Sequence, residues 1–285
     1  MSSISTPSAG TLFLVATPIG NLSDISARAV KTLEEVDFIA AEDTRVTRVL
    51  LDHFGIKKQL VSYYKYNSRT SGEKVLARIL GGENCALVTD AGTPGISDPG
   101  EGLVCLCADE NIRVIIIPGP NAVISALAVS GLDTGRFTFE GFLPVDKKKR
   151  GIHLDELKTE KRTMVFYEAP HKLKRTLADM LKVFGDRRIS ISREMTKFYE
   201  ETLRMTISGA ISYFAEKPPR GEFVLVVEGI TQLPAPDGKL DEAINYASLL
   251  IKSGTSARDA VKKAADKYGC SRNALYKIII TETDI

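Results

Sequence analysis

The sequence predicts an α/β protein whose first half is a parallel sheet covered by helices. Three observations support this prediction. Short apolar runs alternate with helical segments four times between residues 12 and 129, which is the pattern of a parallel, helix-covered sheet. The runs are continuously apolar, which is typical of strands buried on both faces. Each run is also followed by a loop of unusual composition.

The first half contains four predicted strands, and helices follow their loops. The strands are Leu12–Ala16, Phe38–Ala41, Ala86–Thr89 and Val114–Ile117. We take Asp24 as the N-cap of the first helix, and later helices cover 46–54, 75–80, 103–109 and 122–129. Ligands of such sheets bind beyond the carboxyl ends of the strands. We therefore expect the loops that follow these strands to form one cleft: 17–21, 42–45, 90–100 and 118–121.

The second half has a less regular pattern and predicts a mixed α/β domain with antiparallel strand pairs. Its predicted strands are 137–143, 163–167, 189–192, 201–206 and 223–227, with a helix at 172–183. Helical segments at 246–251, 257–268 and 273–280 follow, and the turn before the last resembles a helix-turn-helix. The predicted organisation is a disordered tail at 1–10, α/β domains at 11–131 and 132–230, a linker at 231–240 and a basic helical module at 241–285.

Composition excludes several classes of protein. The 285 residues, 44% hydrophobic and 26% charged, are typical of a globular protein of two domains. No apolar run approaches the roughly 20 residues of a membrane span, and the first ten residues lack the features of a signal peptide, so we expect a cytoplasmic protein. The four cysteines form no C-x-x-C pair and there are three histidines. We therefore expect buried free thiols and no metal site.

The strongest local signal is the segment 90–100, which holds three glycines and two prolines. The chain has neither a G-x-G-x-x-G nor a P-loop motif, which argues against a dinucleotide cofactor and a nucleotidase. Glycine and proline fix a loop while letting its backbone approach a ligand. Asp90 could face the cleft and Asp98 could brace the loop, although a structural crossover fits the composition equally well. The segment 118–121 lacks amide donors at Pro118 and Pro120, which favours a flat or neutral ligand over phosphate.

Two basic clusters suggest a nucleic-acid partner. One is the run at 147–150, and the other is the segment 252–277, with seven lysines and arginines against two aspartates. Such clusters suit phosphate backbones, although a solvated surface remains an alternative for the first. The candidate RNA-binding residues are Lys147, Lys148, Lys149, Arg150, Lys262, Lys263, Arg272 and Lys277.

The strand-end loops, taken in order, resemble those of the tetrapyrrole methylase superfamily of S-adenosylmethionine-dependent methyltransferases. Within it, the chain is similar to the ribosomal RNA small-subunit methyltransferase I family, which 2′-O-methylates a cytidine in the decoding region of 16S rRNA. The likeness runs from about residue 12 to 229. The motifs that carry it are VATPIGNL at 15–22, AAEDTR at 40–45, DAGTP at 90–94, DPG at 98–100, PGP at 118–120, FEGFLP at 139–144, FYE at 166–168, REMTK at 193–197 and GEFV at 221–224.

The resemblance implies two α/β domains with S-adenosylmethionine in the cleft between them. It also implies a homodimer, no required metal, and 16S rRNA or the 30S subunit as substrate. The cofactor-binding residues that it implies are Pro18, Ile19, Gly20, Asp90, Gly92, Thr93, Pro94, Pro120, Asn121, Ala122 and Tyr167.

Transfer to a ribose requires removal of a proton from a weakly acidic hydroxyl. The candidate groups just past strand ends are Glu42, Asp43, His171, Glu194 and Lys197, while Arg45 and Arg193 could hold RNA phosphates. Each also has a structural interpretation, as part of a helix start or an ion-pair network. Two other functions remain open: methylation of a tetrapyrrole or protein, and non-enzymatic nucleic-acid binding by the last three helices.

Overall fold

The computed structural model describes residues 9–64, 68–230 and 239–270, together with 272, 275, 276, 278 and 279. These residues form two five-stranded sheets followed by a pair of helices. Most of the predicted N-terminal tail and most of the predicted linker lie outside the described residues.

The first sheet is parallel throughout, as the sequence predicted. Its strands are β1 (Leu12–Val15), β2 (Phe38–Ala41), β3 (Gln59–Ser62), β4 (Cys85–Val88) and β5 (Val114–Ile117), in the order β3-β2-β4-β1-β5. The accompanying helices are α1 (Ala27–Glu35), α2 (Thr44–His53), α3 (Ser68–Leu80), α4 (Glu101–Asp109) and α5 (Ala122–Val129). The sequence did not predict β3, because this edge strand has only two apolar residues, Leu60 and Val61.

Ser26, and not Asp24, is the N-cap of α1, so the predicted cap was wrong by two residues. The Ser26 hydroxyl accepts a hydrogen bond from the Ala29 amide at 3.1 Å. Asp24 instead ends a short 3₁₀ turn that begins at Leu22. Both residue types cap helices well, so their order in the sequence did not distinguish them.

The second sheet is mixed, as predicted. Its strands are β6 (Phe137–Phe142), β7 (Thr163–Glu168), β8 (Arg188–Arg193), β9 (Glu201–Thr206) and β10 (Phe223–Val227), in the order β6-β7-β10-β8-β9. Only the β6–β7 pair among them is parallel. The helices are α6 (Lys147–Glu156), α7 (Pro170–Phe184) and α8 (Ile207–Glu216). The sequence predicted neither α6, which begins with four basic residues, nor α8, whose Gly209 and isoleucines weaken the helical pattern.

Helix α5 packs against the second sheet, although it follows the first sheet in the chain. Its buried Val123, Ala126 and Leu127 form one apolar cluster with Val165 of β7 and with Val224 and Val226 of β10. The opposite face of the second sheet forms the largest core, with residues of α7 and α8. The segment 118–121 therefore carries the chain from one sheet to the other.

The C-terminal part begins with α9 (Lys239–Lys252) and α10 (Ala257–Tyr268). Helix α9 starts inside the range predicted as linker. The two helices pack through small side chains such as Ala243, Ala247 and Ala264, which are fully buried. Of the third predicted helix, 273–280, the structure describes residues 275, 276, 278 and 279, and all four are helical. Within the described parts of the chain, no helix is long and apolar enough to cross a membrane.

The cysteines are free, but not all are buried as we expected. Cys85, Cys107 and Cys270 are buried, whereas Cys105 is exposed on α4. Burial raises the pKa of the Cys85 thiol to about 12. In the part of the chain that the structure describes, no group of three His, Cys, Asp or Glu residues could hold a metal ion.

Candidate functional site

A cavity of about 400 Å³ lies where loops of the two sheets meet. The first sheet contributes the loops after β1, β2 and β4 and the start of α5, as the positions of the strand ends predicted. The second sheet contributes the end of β6, the β7–α7 junction and the segments before β9 and β10. The lining residues are Ile19, Glu42, Asp90, Ala91, Gly92, Thr93, Ile96, Asp98, Asn121, Ala122, Phe142, Tyr167, Glu168, Ala169, Pro170, Met195, Glu222, Phe223 and Val224.

The loops after β1 and β4 are joined by their backbones at the cavity wall. The Thr17 amide donates to the Gly92 carbonyl at 2.9 Å, and the Gly92 amide donates to the Thr17 carbonyl at 3.1 Å. The Thr17 hydroxyl also donates to the Thr89 carbonyl at 3.1 Å. Gly92 has a φ of 85°, which a residue with a side chain rarely adopts. The conformation of this loop therefore requires a glycine at position 92, and the same residue lines the cavity.

The start of α5 is tied to the same loop. Asn121 caps the helix, because its side-chain oxygen accepts a hydrogen bond from the Ile124 amide at 3.1 Å. Its amide nitrogen donates to the Thr93 hydroxyl at 3.5 Å, and that hydroxyl donates to the Pro120 carbonyl at 3.4 Å. These bonds fix the polar groups of Thr93 and Asn121 at the wall of the cavity.

Five acidic residues line the cavity, and three of them, Glu42, Asp90 and Asp98, have raised pKa values. Burial is the main cause for all three, and the charges of neighbouring carboxylates, which include Asp43, add to it. The pKa of Asp98 reaches about 6. Negative charges crowded in a cleft favour a positively charged ligand or a bound proton. The cavity is therefore suited to a cation on its first-sheet side.

Aromatic rings form the facing wall. The Tyr167 ring lies 5.1 Å from that of Phe139 and 5.4 Å from that of Phe142. Burial, followed by the Asp98 charge, raises the pKa of Tyr167 to about 12, so its hydroxyl remains protonated at neutral pH. A flat apolar surface beside a hydroxyl donor can accept a ring with polar edges.

The predicted cofactor residues fall into two groups. Seven of them line the cavity: Ile19, Asp90, Gly92, Thr93, Asn121, Ala122 and Tyr167. The other four do not line it: Pro18, Gly20, Pro94 and Pro120. They belong to the backbone that supports the wall; a Cβ on Gly20, for example, would lie 2.5 Å from Cγ of Lys197.

Among the predicted proton-transfer and phosphate groups of the loop after β2, only Glu42 lines the cavity. Asp43 caps α2 and forms an ion pair with Arg45 at 2.6 Å. The hydrogen bond from the Arg45 side chain holds the pKa of Asp43 at about 2. The Arg45 side chain is 90% exposed, so it is accessible outside the cavity.

The segment after β8 forms a network of ion pairs. The Lys197 ammonium lies 3.1 Å from Glu194 and 3.0 Å from Glu222. Burial alone would lower the pKa of Lys197, but its bonds to Glu222 and Glu194 raise it overall. Burial alone would raise the pKa of Glu194, but the Glu222 amide and Lys197 lower it. Lys197 therefore stays protonated and cannot accept a proton, and the lowered pKa of Glu194 makes its carboxylate a weak base.

Two further candidates, Arg193 and His171, do not line the cavity. Arg193 forms an ion pair with Glu201 at 2.7 Å, within a second pocket formed with α8. His171 is exposed in the first turn of α7, next to Pro170, which does line the cavity.

The structure corrects one of the predicted RNA-binding residues. Lys147, Lys148 and Lys149 are exposed in the first turn of α6, but Arg150 is only 2% exposed. Its Nε donates to Asp179 at 2.7 Å and its Nη1 to the Val145 carbonyl at 3.0 Å. Helical periodicity turns the fourth basic residue inward, so Arg150 joins α6 to α7 and is not available to RNA.

The basic residues of the C-terminal part are only partly described. Lys262 and Lys263 are exposed on α10. Arg272 forms an ion pair with Asp266 at 2.6 Å. Lys277 lies outside the described residues.

Sequence reasoning missed several lining residues, most of them in the second half. Asp98 and Phe142 belong to motifs that carried the resemblance, which was the available signal. Met195 and Glu222 had the same signal, but nothing in the pattern distinguished lining residues from supporting ones. Glu168, the last residue of β7, also lines the cavity but is buried. Its carboxylate accepts hydrogen bonds from the Ala169 amide at 2.8 Å and from the Thr176 hydroxyl.

The sheets, the strand-end loops and the cavity between them correspond to a known class of protein. A family model described as tetrapyrrole (corrin/porphyrin) methylases matches residues 11–210. A solved uroporphyrin-III C-methyltransferase of Thermus thermophilus, in complex with S-adenosylhomocysteine, superposes with a TM-score of 0.56 over 77% of this chain and 97% of that one. Its sequence identity is 15%, so this likeness concerns the fold.

Closer relatives specify the family. A ribosomal RNA small subunit methyltransferase I of Halalkalibacterium halodurans is 47% identical over 94% of each chain. A protein of the same name in Synechocystis is 46% identical over 94% of this chain and 97% of the relative. The chain belongs to the ribosomal RNA small subunit methyltransferase I family of the tetrapyrrole methylases. It is therefore a methyltransferase, which excludes the alternative of a non-enzymatic nucleic-acid-binding protein.

Proposed function

We propose that this protein transfers a methyl group from S-adenosylmethionine to the ribose 2′-hydroxyl of a cytidine in the decoding region of 16S rRNA. The observation that carries the proposal is the identity above 45% over almost the whole chain to relatives named for the small-subunit RNA. Its place of action would be the cytoplasm, on the RNA or the 30S subunit.

The residues of the cavity fit S-adenosylmethionine. A volume of about 400 Å³ is within the range of small-molecule sites. The carboxylates of Glu42, Asp90 and Asp98 suit the positive charges of the cofactor, and the apolar wall around Phe142 and Tyr167 suits its adenine. The Thr93 amide would hold one of its polar edges, since both backbone groups of Gly92 already bond to Thr17.

When bound, the cofactor supplies a methyl group on a positively charged sulfur that an oxygen nucleophile can displace. The protein's contribution is to align the reacting oxygen, exclude water and receive a proton. Glu42 and Asp98 suit the last role, because they line the cavity and their pKa values are raised. Lys197 and Arg45 suit charge neutralisation instead, because their pKa values are raised and they stay cationic.

RNA would be held by basic residues that remain exposed. We assign this role to Lys147, Lys148 and Lys149 on α6 and to Lys262 and Lys263 on α10. Arg45, with its exposed side chain, is available for a phosphate near the cavity. The resemblance to the family also supports a homodimer as the active form.

The test is methyl transfer to a defined substrate. The purified protein is incubated with labelled S-adenosylmethionine and 30S subunits that lack their native methylations, and the product is mapped by nuclease digestion and mass spectrometry. We expect one methylated ribose, on a cytidine of 16S RNA. Cofactor binding without transfer to 30S subunits or 16S RNA would refute the assignment, and transfer to uroporphyrinogen or a protein would replace it.

A further inference from the structure

The segment 194–200, which connects β8 to β9, is fixed by its own hydrogen bonds. Glu194 and Thr196 have φ values of 49° and 67°, which are costly for residues with side chains. The Lys197 amide donates to the Glu194 carbonyl at 3.0 Å, and the Thr196 amide donates to the Glu200 carboxylate at 2.7 Å. We call this segment the β8–β9 loop.

The β8–β9 loop reaches the cofactor cavity from one side. Met195 lines the cavity, and the Lys197 side chain packs beside Gly20 of the loop after β1. Whatever the tip of the β8–β9 loop binds is therefore held in a fixed relation to the methyl-transfer site.

The tip of the loop exposes two aromatic rings. Phe198 is 92% exposed and Tyr199 is 68% exposed. Their ring centroids are 5.0 Å apart and the ring planes are nearly perpendicular, at 89°. Lys197 and Glu200 flank the pair, so the two rings are not part of a continuous apolar stretch of the loop. We call these two residues the aromatic step.

A pocket of about 280 Å³ lies at the base of the same loop. Arg193 and Glu201, which face each other across β8 and β9, form its ion pair at 2.7 Å. The Tyr213 hydroxyl donates to Glu201 at 3.3 Å, and Lys217 donates to that hydroxyl at 3.2 Å. Arg220 also lines the pocket and is exposed. We call it the cationic pocket, because three cations face one carboxylate.

The aromatic step and the cationic pocket are close to each other. Tyr199 is two residues from Glu201, a backbone distance of at most about 7 Å. Exposed rings beside cations match single-stranded RNA, whose bases stack on aromatic side chains and whose phosphates need positive charge. A second protein chain would be expected to meet a broader apolar surface.

We propose that the β8–β9 loop binds the single-stranded RNA that flanks the target ribose. A flanking base stacks on Phe198 or Tyr199, and a backbone phosphate enters the cationic pocket between Lys217 and Arg220. This inference deepens the proposed function and rests on it, since it assumes an RNA substrate. The fixed loop would thereby set which nucleotide reaches the cavity.

The test compares RNA binding and methyl transfer by the full-length chain and its variants. The ring-deletion variant is Phe198→Ala with Tyr199→Ala, and its matched control exchanges the rings, Phe198→Tyr with Tyr199→Phe. We expect ring deletion to weaken binding to unmethylated 30S subunits and to raise KM roughly 5- to 100-fold. The ring exchange should stay within about twofold of the parent, and affinity for S-adenosylmethionine should be unchanged in both.

The charge variants are Lys217→Gln and Arg220→Gln, with Lys182→Gln near the far end of α7 as the matched control. Each of the first two should reduce the slope of log affinity against log salt by about 1, and Lys182→Gln should not. Ring and charge variants that bind and methylate RNA like the parent would refute the inference while leaving the proposed function intact. A parent protein that binds subunits without methylating RNA would refute the proposed function. The binding affinities of the variants would still test whether the β8–β9 loop contacts RNA. A parent that neither binds nor methylates RNA refutes both.

The oligomeric state tests whether the aromatic step binds a second copy of this chain and not RNA. Light scattering is measured on the parent and on the ring-deletion variant. Dissociation of a dimer by the ring deletion, with RNA affinity unchanged per chain, would show that the aromatic step contacts a second copy instead.

Discussion

Glu42 and Asp90, at the ends of the neighbouring strands β2 and β4, bind each other's loops. The Asp90 amide donates to the Glu42 carboxylate at 3.4 Å. The Asp43 amide donates to the Asp90 carboxylate at 3.1 Å. The two acids line the same cavity as Asp98, and their charges add to burial in raising the pKa of Asp98.

Replacing Asp98 with asparagine should stabilise the protein without ligand at neutral pH. A pKa raised from 3.8 to about 6 means that the folded protein binds this proton more tightly than the unfolded chain. The ionised carboxylate therefore costs stability above pH 6, and the cost disappears below about pH 4. The shift corresponds to at most about 3 kcal/mol, which we reduce to roughly 1 kcal/mol because water screens this partly exposed group.

Urea denaturation of the parent and of Asp98→Asn at pH 7.5, 5 and 4 measures this difference. The advantage of the variant should shrink as the pH falls. Asp155→Asn, at an exposed position on α6, is the control and should show no such trend. An Asp98→Asn advantage that is the same at all three pH values would contradict the assigned pKa.

The cavity should distinguish the cofactor from its product by charge. S-adenosylhomocysteine lacks the positive charge on sulfur, so ionisation of Glu42 and Asp98 should favour S-adenosylmethionine over it. Calorimetric titration of both ligands between pH 5 and 8 should show their affinity ratio rising by up to about tenfold with pH. The rise should flatten in Asp98→Asn. A ratio that is independent of pH in the parent would mean that the carboxylates lie too far from the sulfur.

Gly20→Ala should destabilise the protein through Lys197. The new Cβ would lie 2.5 Å from the Lys197 Cγ, so the lysine must move away from Glu194 and Glu222. We expect a loss of about 1–3 kcal/mol in the free energy of unfolding and weaker cofactor binding. Shortening the lysine removes the clash, so Gly20→Ala and Lys197→Ala should be coupled by at least about 0.5 kcal/mol in a double-mutant cycle. Simple additivity of the two losses would argue that the glycine is needed for its backbone conformation alone.

The basic run on α6 should divide into one structural and three surface positions. Asp179→Asn leaves the buried Arg150 without its charged partner and should cost about 3 kcal/mol or more in thermal or urea unfolding. Lys148→Gln should change stability by less than about 0.5 kcal/mol. It should nevertheless reduce the salt dependence of RNA binding by about one phosphate contact. A large loss of stability in Lys148→Gln, with little loss in Asp179→Asn, would show that Arg150 faces RNA and that Lys148 is structural.

The sequence predicted four strands of the parallel sheet because they are short and continuously apolar, and three of them are followed by loops that contain glycine and proline. Edge strand β3 and helices α6 and α8 were missed because none of them has a strong apolar period. The first-sheet side of the cavity followed from the position of strand ends, as for Asp90 and Thr93. The second-sheet side depended on how two sheets are placed against each other, which local patterns do not encode. For this reason Met195 and Glu222 were not assigned to the cavity. Arg150 was assigned to the surface because the sequence did not show that the basic run begins a helix, which turns its fourth residue toward Asp179 of α7.

Helix α5 has a consequence for how the chain can be divided. By sequence position it ends the first α/β unit, but its apolar side chains complete the core of the second. A gene split after residue 131 would leave the first fragment with an unpaired apolar helix and the second with an uncovered sheet. A split within 118–121 would leave α5 in the second fragment, where it packs against its own sheet. The chain is therefore best divided before α5, at a point beside the cavity. Two fragments made in this way would associate at the cavity, so that both would contact the ligand.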